Sequence, residues 1–412
     1  MAQIKELRCC VCGRTYTPGT VQYVCPACGE IGTLDVLYDY EQLQYVFDRE
    51  TFTSTRPGMW RYKVLLPIAP SAKVPPLPVG GTPLYDSPRL AKALGVRRAW
   101  VKDDGRNPTA SLKDRASSLV VAKAMETGVQ IVSAASTGNA AAALAGIGAS
   151  VGLRIIIFVP ATAPEAKIAQ LAVYGAEVLL VEASYDTAFD LCFTLSQQEG
   201  WLCRNTGINP FTTEGKKTVS FEIAETLHWE VPDVLVTSVG DGNIIAGVYK
   251  GFWDLLQLGW IERIPRLVGV QASGCAPLVE AWKTGANAVD MEPIQTHTIA
   301  DSIVAALPRD RAKALRAVRQ TDGAFVAVSD EEILESIPQL ARLTGVFAEP
   351  AAAASFAGAH RAVKSGVIHP EESVALLITG NGLKDIRSAQ SAVSGGQRVP
   401  PDLEAIRKIL HP

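Results

Sequence analysis

The chain has 412 residues and a formal net charge of -3, from 39 basic and 42 acidic residues. The length is typical of two or three domains, and the near-neutral charge argues against binding to nucleic acid or to an anionic membrane surface. No apolar run approaches the roughly 20 residues of a membrane span, and the first residues are too charged for a signal peptide. We therefore expect a cytoplasmic protein whose partner is a small molecule.

Four cysteines near the N-terminus have the spacing of a zinc site. Cys9 and Cys12 form one Cys-X-X-Cys pair, and Cys25 and Cys28 form a second. Four thiolates in two such pairs are typical of tetrahedral zinc, and they leave no coordination position open for catalysis. Residues 1–40 are therefore predicted to form a structural zinc ribbon, and a reduced, metal-free arm is the alternative.

Residues 41–79 are predicted to form a connecting arm. An amphipathic stretch at 40–47 predicts a short helix, whereas the following residues are rich in proline, arginine and aromatic side chains. From Gly80 onwards, short runs of Val, Ile and Leu alternate with alanine-rich segments. This alternation predicts a parallel sheet with helices on both faces, and hence the α/β class.

Lys113 lies at the start of a predicted apolar helix, within the sequence Asn-Pro-Thr-Ala-Ser-Leu-Lys-Asp-Arg at 107–115, which follows a predicted strand at 99–102. Pro108 disfavours helix at the residue before it, so Thr109 or Ser111 is expected to cap the helix. A helix dipole lowers the pKa of an ammonium group near its N-terminus. An amine with a lowered pKa suits Schiff-base chemistry, and a solvated surface lysine is the plainer alternative.

A polar loop follows the next predicted strand. Residues 131–135 form this strand, Ser136-Thr137-Gly138-Asn139 form the loop, and 140–148 form an alanine-rich helix. Because a helix N-terminus offers backbone N–H groups to an anion, the loop is expected to bind a carboxylate such as that of an amino acid. A βαβα unit is then predicted from strands at 154–159 and 177–182 and helices at 164–174 and 184–198.

A glycine-rich turn marks a second unit of this kind. A predicted strand at 234–239 leads into Gly240-Asp241-Gly242-Asn243 and then into a helix at 244–255. Such a turn can hold a single phosphate at the helix N-terminus, and a plain tight turn is the alternative. Later elements are predicted as strands at 267–271, 324–328 and 374–378 and a helix at 330–344.

Five motifs occur in a fixed order along the chain. They are Asn-Pro-Thr-Ala-Ser-Leu-Lys-Asp-Arg at 107–115, Ser-Thr-Gly-Asn at 136–139, Asn-Pro-Phe-Thr-Thr-Glu-Gly-Lys-Lys-Thr at 209–218, Val-Gly-Asp-Gly-Asn at 239–243 and Thr-Gly-Asn-Gly-Leu-Lys-Asp at 379–385. In these motifs the chain resembles the threonine synthase family of fold-type-II enzymes, which use pyridoxal 5'-phosphate (PLP). The resemblance covers about 80–390 and implies two open, twisted α/β lobes, similar to those of the tryptophan synthase β subunit. The catalytic region would span 80–395, with a smaller mobile lobe at about 120–215 and a C-terminal tail at 396–412.

The resemblance also implies a role for each motif. Lys113 would form the Schiff base with PLP and move protons between Cα and Cβ of the substrate. Asn139 would bind the phenolic oxygen of PLP, and Thr379 would face its pyridine nitrogen. The cofactor phosphate would be bound by Gly240, Asp241, Gly242, Asn243 and Ile244, and the substrate carboxylate by Ser136, Thr137 and Gly138. The implied reaction converts O-phosphohomoserine and water to threonine and phosphate, and by analogy the enzyme is expected to be a homodimer.

Two positions depart from the family pattern. Ala140 stands where the family often has threonine, and Thr212 stands where it often has arginine. Both belong to the substrate-phosphate pocket, where Lys216 or Lys217 is expected to supply positive charge instead. The alternatives are deamination of serine or threonine, or β-replacement on O-phosphoserine. A third hypothesis, from another class, is a zinc-ribbon binding module on an inactive scaffold.

Overall fold

The structure is a computed structural model that describes residues 4–49, 58–163 and 165–410. Residues 50–57 of the predicted arm and Pro164, the first residue of a predicted helix, lie outside the described residues, as do both chain ends at 1–3 and 411–412. No helix in the described ranges is both long and apolar enough to cross a membrane.

Strands and helices alternate along most of the chain, as the sequence predicts. The strands are β1 (Ile4–Cys9), β2 (Thr15–Tyr16), β3 (Leu34–Tyr38), β4 (Leu84–Asp86), β5 (Arg98–Asp103), β6 (Ile131–Ala135), β7 (Arg154–Pro160), β8 (Glu177–Val181), β9 (Leu202–Cys203), β10 (Val234–Ser238), β11 (Arg266–Ala272), β12 (Ala324–Val328) and β13 (Ser373–Ile378). The α-helices are α1 (Tyr40–Val46), α2 (Pro88–Leu94), α3 (Lys113–Thr127), α4 (Asn139–Ala149), α5 (Glu165–Val173), α6 (Tyr185–Glu199), α7 (Pro210–Lys216), α8 (Thr218–Thr226), α9 (Asn243–Gln257), α10 (Pro277–Thr284), α11 (Arg311–Gln320), α12 (Asp330–Thr344), α13 (Pro350–Lys364), α14 (Ile386–Ser391) and α15 (Leu403–Leu410).

The described strands form three sheets. The largest has the order β12-β11-β10-β13-β5-β4 and is parallel except for its edge strand β4. A second, fully parallel sheet has the order β8-β7-β6-β9. A small antiparallel sheet, β2-β1-β3, has Cys9 at the end of β1, and the other N-terminal cysteines lie in the connections between its strands. The predicted α/β class is confirmed, with two parallel sheets each covered by helices.

The central strands are buried along their whole length because helices cover both faces of the sheets. All residues of β10 and β13 are buried, whereas the edge strand β8 is largely exposed. Such continuous burial is typical of parallel sheets and differs from the alternation of a half-exposed strand. The alanine-rich helix α13 comes so close to the sheet that a Cβ on Gly358 would lie 2.2 Å from the side chain of Val270.

The N-terminal sheet shares its apolar core with the largest sheet. Leu34, Val36 and Tyr38 of β3 belong to the same buried cluster as Phe221 and Phe252, which lie on α8 and α9. Burial of apolar surface therefore attaches the cysteine-containing segment to the body of the protein.

Candidate active site

A cavity of about 560 Å³ is lined by residues that follow strands of both parallel sheets. Its walls include the loop after β6, the residue after β9, the glycine loop after β10 and Thr379 after β13. The carboxyl ends of parallel strands are where open α/β sheets bind their ligands. The cavity is therefore the candidate active site, and Lys113 lies in its wall.

Lys113 is the first residue of α3, as predicted, but neither Thr109 nor Ser111 caps this helix. The cap position is Leu112, whose backbone N–H donates to the carbonyl of Thr379 at 2.9 Å. Thr109 instead donates its backbone N–H and its hydroxyl to the carboxylate of Asp114. The predicted capping is wrong because the chain before Lys113 pairs with the segment after β13.

The amine of Lys113 is poised for chemistry that needs a neutral nitrogen. Loss of hydration in the cavity lowers the pKa of Lys113 to about 8, and the nearby charge of Arg204 also lowers it. Within the described part of the chain the amine makes no hydrogen bond and no ion pair, so no side chain competes for its lone pair. This isolation fits an amine that reacts with an aldehyde group of a cofactor.

The polar loop after β6 lies at the N-terminus of α4. Ser136, Thr137 and Gly138 all line the cavity, and the hydroxyl of Ser136 accepts a hydrogen bond from the N–H of Gly138 at 3.2 Å. Asn139 is the first helical residue. The unpaired N–H groups of this helix start can hold a carboxylate.

Glu349 is a cavity residue that the sequence analysis did not select. Its Oε1 accepts a hydrogen bond at 2.8 Å from the side-chain amide of Asn139, and burial raises the pKa of Glu349. A Cβ on Gly380 would lie only 2.3 Å from this oxygen, so a larger residue after Thr379 would displace the carboxylate of Glu349. The sequence signal was an acidic residue directly before Pro350, which starts α13.

The glycine loop after β10 leads into the N-terminus of α9. Gly242 has φ 89°, in the left-handed region that favours glycine, and a Cβ on Gly240 would lie 2.9 Å from the backbone of Ile303. The side chain of Asp241 accepts a hydrogen bond from the N–H of Arg309. The backbone carbonyl of Asp241 accepts one from the N–H of Asp310. These contacts shape a tight turn whose last residues, Asn243 and Ile244, present helix-start N–H groups at the cavity.

The two consecutive lysines that were expected at the substrate phosphate lie in different places. Lys216 lines the cavity and donates to the side-chain oxygen of Asn243, so it lies against the glycine loop. Lys217 does not line the cavity, because the next residue of a helix points about 100° away. It forms buried ion pairs with Asp254 at 2.7 Å and with Glu214. Lys217 is therefore not placed to contact a substrate in the cavity, contrary to the prediction.

Arg204 is a second cavity residue that the sequence analysis did not select. It follows β9, is 1% exposed, and lies in the cavity wall together with Lys113 and Lys216. Burial lowers the pKa of Arg204 to about 10. A single arginine after a two-residue strand carries no recognisable sequence motif, which is why it was missed.

The four N-terminal cysteines come together as predicted. The sulfur atoms of Cys9, Cys12, Cys25 and Cys28 all lie within 4.8 Å of one another, and Cys12 Sγ lies 3.8 Å from Cys25 Sγ. Tetrahedral zinc with Zn–S bonds of about 2.3 Å places its sulfurs about 3.8 Å apart. The cluster thus has the composition and the size of a four-thiolate metal site.

Comparison with known proteins identifies the family to which the chain belongs. The family model "Pyridoxal-phosphate dependent enzyme" matches residues 76–380. The chain is 40% identical over 406 residues to the threonine synthase of Methanosarcina acetivorans, and 38% identical over 405 residues to that of Methanocaldococcus jannaschii; each alignment covers 98% of both chains.

Solved structures share the fold at lower sequence identity. A threonine deaminase from Solanum lycopersicum has a TM-score of 0.63 at 23% identity, over 76% of this chain and 88% of that one. Maize serine racemase has a TM-score of 0.63 at 21% identity, over 80% and 91% of the two chains. These likenesses show the predicted fold-type-II architecture.

Proposed function

Because the chain belongs to the pyridoxal-phosphate-dependent enzymes and, among them, to the threonine synthases, we propose that its cavity converts O-phosphohomoserine and water to threonine and phosphate. The protein is a PLP-dependent lyase. The geometric observation that carries the proposal is a reactive amine, Lys113, in one cavity with two helix N-termini that can each bind an anion.

The residues of the cavity fit PLP. The backbone N–H groups at Gly240, Asp241, Gly242, Asn243 and Ile244 would hold its phosphate, and the amine of Lys216, which contacts Asn243, would add a hydrogen-bond donor there. Asn139 would hold the phenolic oxygen, and Thr379 would face the pyridine nitrogen. When bound to Lys113, PLP supplies an electron sink for the substrate carbons.

The side chains of the protein have three tasks in this reaction. Ser136, Thr137 and Gly138 would bind the substrate carboxylate at the start of α4 and so orient Cα. The Nζ atom of Lys113 would take a proton from Cα and return protons to the substrate, since its pKa of about 8 lies near neutral pH. Glu349 holds the amide of Asn139 in place for the cofactor ring.

We also propose that Cys9, Cys12, Cys25 and Cys28 bind Zn²⁺ in a structural role. The segment that the metal would order contacts strand β9 of the four-stranded sheet and helix α11. The hydroxyl of Tyr23 accepts a hydrogen bond from the N–H of Cys203 at 2.9 Å, and Lys313 donates to the carbonyl of Leu34 at 2.7 Å. These contacts use the surface of the ribbon inside the protein, which argues against a free binding module on an inactive scaffold.

A cytoplasmic homodimer is part of the proposal as well. The cysteines within the described ranges form no disulfide, which suits a reducing compartment. Sedimentation of the purified protein over a range of concentrations tests the dimer.

Product analysis with four substrates tests the reaction. O-phosphohomoserine, O-phosphoserine, serine and threonine are each incubated with the PLP-loaded protein, and threonine, phosphate and keto acid are measured. We expect threonine and phosphate in equal amounts from O-phosphohomoserine. Keto acid from serine or threonine without turnover of O-phosphohomoserine would establish the deaminase alternative, which Ala140 in the cavity wall favours because it lacks a hydroxyl for a phosphate.

A lysine variant tests the role of Lys113. Lys113→Ala should lose the visible absorbance of bound PLP and lower kcat by at least about 100-fold, because both the covalent link and the proton carrier are removed. Lys123→Ala is the matched control, since Lys123 lies on the same helix in a partly exposed pair with Glu126. Retention of turnover by Lys113→Ala would refute the assignment.

A further inference from the structure

The guanidinium group of Arg204 is buried in the wall of the candidate active site. Its Nη1 donates to the hydroxyl of Thr206 at 2.7 Å and its Nε to the hydroxyl of Ser117 at 3.3 Å. Its Nη2 has no hydrogen-bond partner among the described residues, and none of their carboxylates forms an ion pair with it. The guanidinium group is thus held in place by two neutral hydroxyls and keeps one nitrogen free.

This arrangement differs from that of the other large buried arginine. Arg115 is paired with Asp104 and with Glu222, each at 2.6 Å. A buried charge is costly unless it is paired, and an anion bound beside Arg204 would supply the kind of partner that Asp104 and Glu222 supply to Arg115. Arg204 lines the cavity that contains Lys113.

Arg204 lies on the substrate side of the cavity. Its backbone N–H donates to the carbonyl of Ser133 at 2.8 Å, in the strand that leads to the loop proposed for the substrate carboxylate. Ser117, which orients its side chain, lies one helical turn after Lys113. The cofactor loop has a different basic residue, Lys216, whose amine donates to Asn243.

We propose that Arg204 binds the phosphate group of the substrate and selects amino acids that carry a phosphate leaving group. The inference rests on the proposed function and names the phosphate contact within it. When the Cγ–O bond breaks, its electron pair leaves with the phosphate oxygen, and the guanidinium compensates the charge of the departing phosphate. Bidentate N–H donors suit such an oxyanion better than an ammonium group does.

The assignment accounts for Thr212. The family often has an arginine at this position, but here Thr212 is fully buried and its hydroxyl donates to the carbonyl of Asn209 at 2.8 Å. Thr212 does not line the cavity. Arg204 supplies the guanidinium from the position directly after β9, whereas Thr212 lies on α7.

Phosphate binding and substrate selectivity test the proposal together. Inorganic phosphate is titrated by calorimetry into the PLP-saturated enzyme and into its Arg204→Met and Arg204→Lys variants. We expect Arg204→Met to weaken phosphate binding about 10- to 100-fold, and to lower kcat/KM for O-phosphohomoserine by a similar factor. Arg204→Lys should lie between the wild type and Arg204→Met, since it keeps the charge but not the planar fork.

Controls separate this role from folding and from cofactor binding. Arg154→Met removes an exposed arginine of the same sheet, paired only with Glu177, and should change neither quantity. Weakened binding of PLP itself by Arg204→Met would overturn the proposal, because it would assign Arg204 to the cofactor. Equal phosphate affinity in Arg204→Met and the wild type would also overturn it.

Failure of the proposed reaction and failure of the phosphate site give different results. A wild-type enzyme that does not turn over O-phosphohomoserine, but binds phosphate in an Arg204-dependent manner, would contradict the proposed function and support the phosphate site. If Arg204→Met turns over O-phosphohomoserine as fast as the wild type, the proposed function would stand and the phosphate site at Arg204 would be refuted.

Discussion

Lys113 shows how the environment of one residue sets its chemistry. The sequence predicted a lowered pKa from the helix dipole, and the structure adds loss of hydration and the charge of Arg204 as causes. Neither could be predicted, because both depend on residues that are distant in the chain. Glu349 was missed for the same reason, since its contact with Asn139 joins residues that are distant in the chain.

The rate of PLP loading should report the pKa of Lys113. Only the neutral amine reacts with the aldehyde of PLP, so after removal of the cofactor the loading rate should rise about tenfold per pH unit and level off near pH 8. Free Nα-acetyl-lysine, measured in parallel by the growth of visible absorbance, should continue to rise towards about pH 10. A protein rate that follows the free amine would contradict the lowered pKa.

At the scale of elements, the sequence predicted regular structure better than the loops between them. Strands β6 and β12 and helix α12 have the predicted bounds, because each has an apolar pattern of its own. The segment before Lys113 was predicted less well because its conformation depends on distant pairing. Ala110 adopts φ 64° there, and its carbonyl accepts a hydrogen bond from the N–H of Asn381.

The start of α3 depends on the buried network around Arg115. Arg115→Met would leave the carboxylates of Asp104 and Glu222 buried with fewer partners, and should lower the free energy of unfolding by about 3–5 kcal/mol. Urea unfolding followed by fluorescence measures this change. The exposed pair of Arg154 provides the comparison, and Arg154→Met should leave the unfolding midpoint nearly unchanged. A similar midpoint for both variants would show that the buried network contributes little to stability.

For the whole molecule, the cysteine motif predicted the metal cluster but gave no sign of where the ribbon would attach. Tyr23 contacts Cys203 of β9, directly before Arg204, whereas Tyr38 donates to Glu214 of α7, two residues before Lys216. The sequence held both tyrosines, but their partners lie on elements that the sequence analysis did not predict, β9 and α7. The ribbon therefore supports residues on two sides of the candidate active site.

Loss of the metal should consequently weaken the active site as well as the ribbon. Cys25→Ser is expected to lower Tm by about 5 °C or more, and to increase the rate at which PLP is lost on dialysis. Cys10→Ala is the matched control, because the sulfur of Cys10 lies beside Thr33 and outside the four-cysteine cluster. Equal PLP retention in the two variants would contradict this prediction, because it would show that loss of the metal does not affect the cavity.

The contacts of the ribbon also set an order of events during synthesis. Its four cysteines have all been made once residue 28 has been added. The hydrogen bond from Tyr38 to Glu214 can form only later, because Glu214 lies 176 residues further along the chain. At about 5–20 residues per second, that delay is roughly 10 to 35 seconds. During this interval the apolar face of β3 has no partner on the body of the protein, so early capture of the metal would keep the emerging segment folded while the ribosome completes its docking site.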